Sequence, residues 1–402
     1  MFARFWRWLR GLFGATPEAL PAPHAHSSPG SARPKQGAAR ARTSREGTSP
    51  PTLTSRERTA GFRTRKPARW PCDEQRLDHL GLPVWRTETD LAQALDLTQK
   101  QLRFFATHRP VDRFHHYLQF AVPKARGGER ILCAPKRQLK AVQRQLVREL
   151  VRRLPVSEYA HGFRQGRSVA TNAAPHVGKA VVIRLDLADF FGTVTFPRVR
   201  GLLASCGYGH AVASSLALLA TEAHRQPLDI DGVVHFAAMG PRHCVQGAPT
   251  SPGLCNAIAR RLDHRLAGLG RSLGFAYTRY ADDMVFSGDA LDEISRLLGG
   301  ARNIVANEGF RLNDDKTRIM RAGGRQQVTG VTVNQVLGLS RKERRKLRAA
   351  LHQQGLARKE GKGDARNDAR IQGKLAWLQM LNADQAAALH PQSAQAVQSE
   401  PA

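Results

Sequence analysis

Large apolar residues are unevenly spread along the chain. From Thr16 to about Lys66 the sequence is Pro, Ala, Ser, Gly and Arg with almost none of them, so this stretch cannot bury enough surface to fold alone and is expected to be a basic, disordered tether. Ahead of it, residues 1–15 (MFARFWRWLRGLFGA) set Phe5, Trp6, Trp8, Leu9, Leu12 and Phe13 beside spaced arginines. That pattern fits a short amphipathic helix lying on a membrane or on RNA, and fits a plain extension equally. Order resumes near Trp70. Thr87-Glu-Thr-Asp90 followed by LAQALDLTQKQLRFFA predicts capped helices with apolar residues at helical spacing. YLQFAVPKARGGERILCAPK (117–136) alternates and breaks at Gly127-Gly128, as a hairpin of two strands does, and a basic helix from Arg137 to Leu154 follows.

Further along, the pattern predicts an apolar strand over AVVIRLDLADFF (180–191), a helical stretch around 197–220 and another helix after Pro252. A strand pair centres on YTRYADDMVFSG (277–288), and SRKERRKLRAALHQQGL (340–356) is a basic helix-prone run. Strands and helices are interspersed without a repeat, which points to an α+β fold with helices against an antiparallel sheet. The organisation expected is a disordered basic extension over 1–66, a main mixed domain over 67–335 and a C-terminal helical part over 336–402.

Composition adds a partner class. Lys plus Arg outnumber Asp plus Glu by 62 to 33 for a formal net charge of +29, so a compact form of this chain repels itself unless a polyanion neutralises it. Nucleic acid is the natural partner, with an anionic membrane surface as the second reading. The five cysteines (Cys72, Cys133, Cys206, Cys244, Cys255) lack the paired spacing of a zinc site or a disulfide framework, and read as reduced packing residues. No apolar run of about 18 residues spans a bilayer, and Arg4, Arg7 and Arg10 interrupt any signal-peptide core, so a cytoplasmic protein without a transmembrane segment is expected.

Candidate chemistry sits on two apolar segments. Asp186 ends one strand, where a buried carboxylate needs a cation or strong hydrogen bonds. Tyr280-Ala-Asp-Asp283 places two adjacent acids between apolar runs, at what reads as a hairpin tip. Taken singly, each acid is also readable as a surface residue or a turn cap. Brought together, Asp186, Asp282 and Asp283 form the hard oxygen site that Mg²⁺ prefers, as two-metal phosphoryl transfer requires.

LDLADFF, QGAPTSP and YADDMVFSG, in this order and spacing, resemble the palm motifs of reverse transcriptases. The resemblance implies a right-hand polymerase with fingers, palm and a small helical thumb, whose metal-binding aspartates are Asp186, Asp282 and Asp283 and whose cofactor is two Mg²⁺ ions, with Mn²⁺ as substitute. It implies that Phe191, sixth in the first motif, packs against the sugar of the incoming nucleotide and favours deoxynucleotides over ribonucleotides. Gln246, in the loop before Pro252, would abut nucleotide and template. Lys124 and Arg130 would grip the triphosphate from the fingers hairpin, and Lys316 in NDDKT would protonate the leaving pyrophosphate.

Two shorter motifs, Asn172-Ala-Ala-Pro-His176 and Val328-Thr-Gly330, resemble signatures of retron reverse transcriptases, and the resemblance runs from roughly residue 77 to 390. It implies that Asn172, His176, Val328, Thr329 and Gly330 belong to an RNA-binding region. The RNA would be a cognate structured noncoding RNA primed from an internal 2′-hydroxyl to give a branched RNA–DNA product. Implied partners are that RNA and its DNA product, deoxynucleoside triphosphates, a separate effector protein in antiphage defence, and host ribonuclease H. The alternatives are a group II intron-like or other bacterial reverse transcriptase, which usually extends further beyond the thumb, and a non-catalytic RNA-binding scaffold, whose usual sign is a missing carboxylate.

Overall fold

The computed structural model describes residues 70–107, 109–123 and 128–389. The extension over 1–66, its candidate helix at 1–15 and Lys124 lie outside the described residues. After a short helix at Glu74–His79, helices Glu88–Ala94 and Gln99–Ala106 begin in full capping boxes, Thr87 with Asp90 and Thr98 with Gln101, so each helix start satisfies its own backbone donors. Strands β1 (Val111–Asp112), β2 (Tyr117–Pro123) and β3 (Glu129–Pro135) follow, β2 and β3 pairing as the expected hairpin. The basic helix is Arg137–Glu149, ending in a short 3₁₀ turn at Val151–Arg153.

β4 (Val181–Asp186) is shorter than the predicted strand and is buried at five of its six positions. The predicted helix over 197–220 is two helices, Phe196–Cys206 and His210–Ala220, because Gly207 takes φ +119° and reverses the chain. β5 (Arg225–Ile230) and β6 (Val233–Ala238) then form a hairpin joined by Asp231-Gly232, and with β1 make a three-stranded sheet that the reading above did not foresee. The signal was present: Asp-Gly between alternating apolar residues is the two-residue hairpin turn, both of whose positions have positive φ here.

The palm-like sheet has the order β7-β8-β4-β9, all antiparallel, with β7 at Phe275–Tyr280, β8 at Asp283–Gly288 and β9 at Arg318–Arg321. Alternation along the strands assigns the two faces. Val181, Ile183, Leu185, Met284 and Phe286 enter the main core beneath helices Ser251–Ile258, Arg260–Ser272 and Ile294–Asn307. Val182 and Val285 face the other way, into a second core with Ala173, Val328, Val331, Val333 and Leu381. By the same alternation Arg184, Asp186 and Asp283 share the face of Val182 and Val285. A third small core, Leu339, Leu347, Ile371, Leu378, Ala386 and Leu389, holds the C-terminal helices Arg341–Lys359, Ala365–Leu381 and Ala383–Ala387, and Trp377 packs on both it and the second core. The first of these helices starts in a capping box of Ser340 and Glu343.

Candidate active site

Backbone register assembles the acids. Asp186 lies opposite Asp283 in the β4–β8 ladder, and Tyr280 pairs with Asp283, leaving Ala281-Asp282 as a two-residue turn. The Leu187 amide donates to the Asp282 carbonyl at 2.9 Å, holding the turn beside the end of β4. Chain segments almost a hundred residues apart thus deliver three carboxylates to one strand end.

Two of the three acids are matched by a cation. Lys316 Nζ lies 3.0 and 2.9 Å from the two oxygens of Asp186, and Arg184 reaches Asp283 Oδ1 with Nε at 3.0 Å and Nη2 at 2.9 Å. Burial pushes the Asp282 carboxyl up to about 6, and the charges of Asp283 and Asp186 push it the same way. Burial also raises Asp283, against the lowering pull of Arg184. Among the described residues no three acidic, histidine or cysteine side chains close on a single point, since Asp186 is turned to Lys316 and Asp283 to Arg184. The set fits divalent metal all the same: it offers hard oxygens only, and a cation relieves both the burial of Asp282 and the repulsion from Asp283 and Asp186 that adds to it.

The surrounding candidates are placed as follows. Phe191 is half-buried and meets Phe190 edge-on at 5.7 Å, just past β4. Gln246 is half-buried, and its carbonyl accepts from the Cys133 amide of β3 at 2.9 Å. Gly247, at φ +122°, is needed because a Cβ there would lie 2.8 Å from the Cys133 carbonyl oxygen. Its close approach is to β3 of the same chain. Arg130 is in β3, paired with Val122.

The five residues assigned to an RNA-binding region lie largely in the interior of the fold. Asn172, His176, Val328 and Thr329 are buried, and of the five only Gly330 is partly exposed. His176 packs on the sheet face shared by Val182 and Val285, with its ring nitrogens 2.7 Å from Ser287 Oγ on β8 and 2.7 Å from Thr278 Oγ1 on β7. Val328 starts the hairpin of β10 (Gln327–Val328) and β11 (Val331–Thr332), whose turn residues Thr329 and Gly330 have φ +46° and +88°. Such a turn demands a glycine, and Val328 and Val331 then pack against Ala173 in the second core. The buried residues of both motifs therefore pack on the sheet face that also carries Arg184, Asp186 and Asp283.

Three buried histidines set an acid limit on this fold. His176 is pushed down to about 3, and His161 and His115 each to about 4, all by burial. The unfolded chain takes up these protons near 6.5, so stability is full above that value and is lost as pH falls toward 4, at up to about 1.4 kcal/mol per pH unit for each histidine. Asp282 acts oppositely between 3.8 and about 6, one group against three. Urea midpoints should therefore drop on going from about pH 7.5 to about pH 5; an unchanged midpoint would refute this balance.

Arg184, Asn256, Asp263 and Arg279 were missed by sequence reading. Arg279 is wholly buried and forks onto Asp263, with Nε–Oδ1 and Nη2–Oδ2 both 2.7 Å. The available signal was periodicity: Asp263 shares a helical face with Ala259, Leu266 and Ala267, and Arg279 alternates along a strand with Phe275 and Tyr277.

Comparison with known proteins agrees with this geometry. A family profile for reverse transcriptase (RNA-dependent DNA polymerase) matches residues 122–340. The chain is 56% identical over 314 residues to the retron Mx65 reverse transcriptase of Myxococcus xanthus, covering 78% of this chain and 73% of that protein. It is 41% identical over 330 residues to the retron Mx162 reverse transcriptase of the same organism, covering 78% and 67%. Among solved structures, a Candida tropicalis telomerase with a fragment of telomeric RNA aligns over 56% of this chain and 45% of that chain, at 13% identity and a TM-score of 0.40, too distant to add to the assignment.

Proposed function

The chain belongs to the reverse transcriptase family as an RNA-directed DNA polymerase of a retron, and from that premise we propose that it polymerises at the β7–β8 hairpin tip, on Asp186, Asp282 and Asp283. The observation that supports this most is the register that sets Asp186 opposite Asp283 beside the Ala281-Asp282 turn. Divalent metals are general to this family; here the three aspartates would hold two Mg²⁺ ions, or Mn²⁺ in their place, supplying positive charge at the reacting phosphate oxygens.

The protein's own groups supply the rest. Lys316 leaves Asp186 and carries its proton to the departing pyrophosphate. Arg130, with Lys124, grips the triphosphate, and Gln246, anchored on β3, lines the nucleotide site. Phe191 excludes a 2′-hydroxyl. Phe191→Ala should therefore raise incorporation of ribonucleotides relative to deoxynucleotides by on the order of 100-fold, read from single-nucleotide extension of a primer on RNA. An unchanged ratio would leave Phe191 as an ordinary packing residue.

The RNA partner is a cognate structured noncoding RNA, primed from one of its own 2′-hydroxyls to give a branched RNA–DNA product. The exposed basic face of Arg341–Lys359, including Arg341, Lys342, Arg345, Lys346 and Arg348, would meet its phosphates, carried on the core that Trp377 joins to Ala173 and Val328. A separate effector in antiphage defence, host ribonuclease H and a cytoplasmic location complete the reading. No helix among the described residues is long and apolar enough to cross a membrane. The test is expression of the gene with its upstream DNA, followed by denaturing gels before and after ribonuclease and debranching treatment. A short DNA whose mobility changes on debranching is expected. Primer extension on RNA without any such species would retain the polymerase and discard the branched product.

A further inference from the structure

The turn that carries Asp282 is built on a conformer that residues with a Cβ disfavour, Ala281 having φ +59°. Something must hold it. The Ala281 carbonyl accepts from Arg279 Nη1 at 2.9 Å, and the same nitrogen donates to Asn256 Oδ1 at 2.9 Å. Arg279 is itself fixed by its fork on Asp263, and Tyr277 OH steadies that carboxylate at 2.9 Å from Oδ1. Asn256 Nδ2 in turn donates to the Gly162 carbonyl at 2.8 Å, and Gly162 lies so close to the turn that a Cβ there would be 2.7 Å from Ala281 N. The guanidinium also stands over the Phe190 ring, 5.5 Å from its centroid, next to Phe191.

One wholly buried side chain thus joins helices Ser251–Ile258 and Arg260–Ser272, the segment at Gly162 and the end of β4 to the turn. Burying an ion pair brings little net stability, so stability is a weak reason for an arginine here. A planar fork with five donors, clamped on a carboxylate, is on the other hand well suited to orienting a carbonyl. In β7 the Arg279 side chain pairs with Met284 on the main-core face, so it acts on the turn from behind the acids and touches none of them.

We propose that Arg279 is a positioning residue for the polymerising carboxylates, holding Ala281 in its left-handed conformation so that Asp282 and Asp283 stay beside Asp186. This rests on the reading of those three aspartates as the polymerising site.

Arg279→Lys keeps a buried charge for Asp263, but one ammonium cannot meet that carboxylate, Asn256 and the Ala281 carbonyl together. In the full-length protein with its RNA, kcat for deoxynucleotide addition should fall about 100-fold while the nucleotide KM and the RNA Kd stay within about threefold. Mn²⁺ binding to the RNA-free protein, followed by electron paramagnetic resonance of the free ion, should weaken about tenfold, the metal ligands being displaced rather than removed. Adding Ala281→Gly should recover about tenfold in kcat, because glycine adopts the left-handed conformer without a clamp. Asn256→Ala leaves the ion pair intact and serves as the second variant should the lysine variant fold poorly; it should lower kcat about tenfold by the same displacement.

If both variants keep kcat and Mn²⁺ affinity within about threefold of the parent while Asp282→Asn is inactive, Arg279 is a core residue only and the proposal fails. A fall in kcat without weaker Mn²⁺ binding and without recovery by Ala281→Gly would also overturn it, as general loosening. Should Asp282→Asn still polymerise, the site reading falls and the proposal falls with it.

Discussion

Replacing Asp282 with asparagine is expected to reduce DNA synthesis by on the order of 1,000-fold or more while leaving RNA affinity within about twofold. The side chain keeps its shape, so the turn and its hydrogen bonds survive. What disappears is a negative charge at the point where the phosphates of nucleotide and primer must be met by cations. RNA binding depends on phosphate contacts spread over a chain of net charge +29, to which one carboxylate matters little. A second consequence separates chemistry from misfolding. In the folded protein without metal, burial, joined by repulsion from Asp283 and Asp186, pushes the Asp282 carboxyl up to about 6. At pH 7.5 the folded protein therefore bears a cost that the unfolded chain does not, and Asp282→Asn should melt slightly higher than the parent in chelator. Parallel loss of RNA binding and melting temperature would mean that the substitution unfolded the protein, and retained synthesis would remove Asp282 from the site.

Glu222→Leu should destabilise the protein by about 3–5 kcal/mol, the range for removing one partner from a buried ionic cluster. Glu222 Oε1 lies 3.3 Å from Arg225 Nε and 3.3 Å from Arg242 Nη1, and all three residues are buried. The cluster stands where β5 leaves the body of the protein, and it ties β1, β5 and β6 to the helix His210–Ala220: Arg225 Nη1 also donates to the Phe236 carbonyl at 3.0 Å, and Arg242 Nη2 to the Leu218 carbonyl at 2.8 Å. Leucine nearly matches the volume but leaves two guanidinium groups without their shared carboxylate. The loss should appear as a lower urea midpoint at unchanged slope. A midpoint equal to the parent's would show that the two arginines are neutralised by other means.

Much of this was legible in the chain itself. The capping boxes at Thr87 and Thr98 are local, spanning four residues each, so their residue types suffice to specify them. The β2–β3 and β7–β8 hairpins declare themselves through alternation and turn residues, again within a short window. The β5–β6 hairpin carries an equally local signal, Asp231-Gly232, although the alternation around it is weak. The burial of Asn172, His176 and Val328 was not legible, for another reason. A polar or small motif looks the same in sequence whether it faces solvent or packs on a sheet, and only the burial of His176 between Thr278 and Ser287 decides between them.

The division follows range. Residue types along the chain determined which strands alternate, where they turn and which acids they carry to their ends, because those choices are made within a few residues by sterics and hydrogen bonding. They also determined that the partner is a polyanion, since net charge is a sum that does not depend on fold. Tertiary structure alone decided the electrostatics of the site. Arg184 meets Asp283 across 99 positions and Lys316 meets Asp186 across 130, and Arg279 is committed to Asp263 and Ala281 from within a closed core. No local pattern encodes such pairings: 62 cations are available to 33 acids, and which of them meet is set by the register and packing of segments that are distant in sequence.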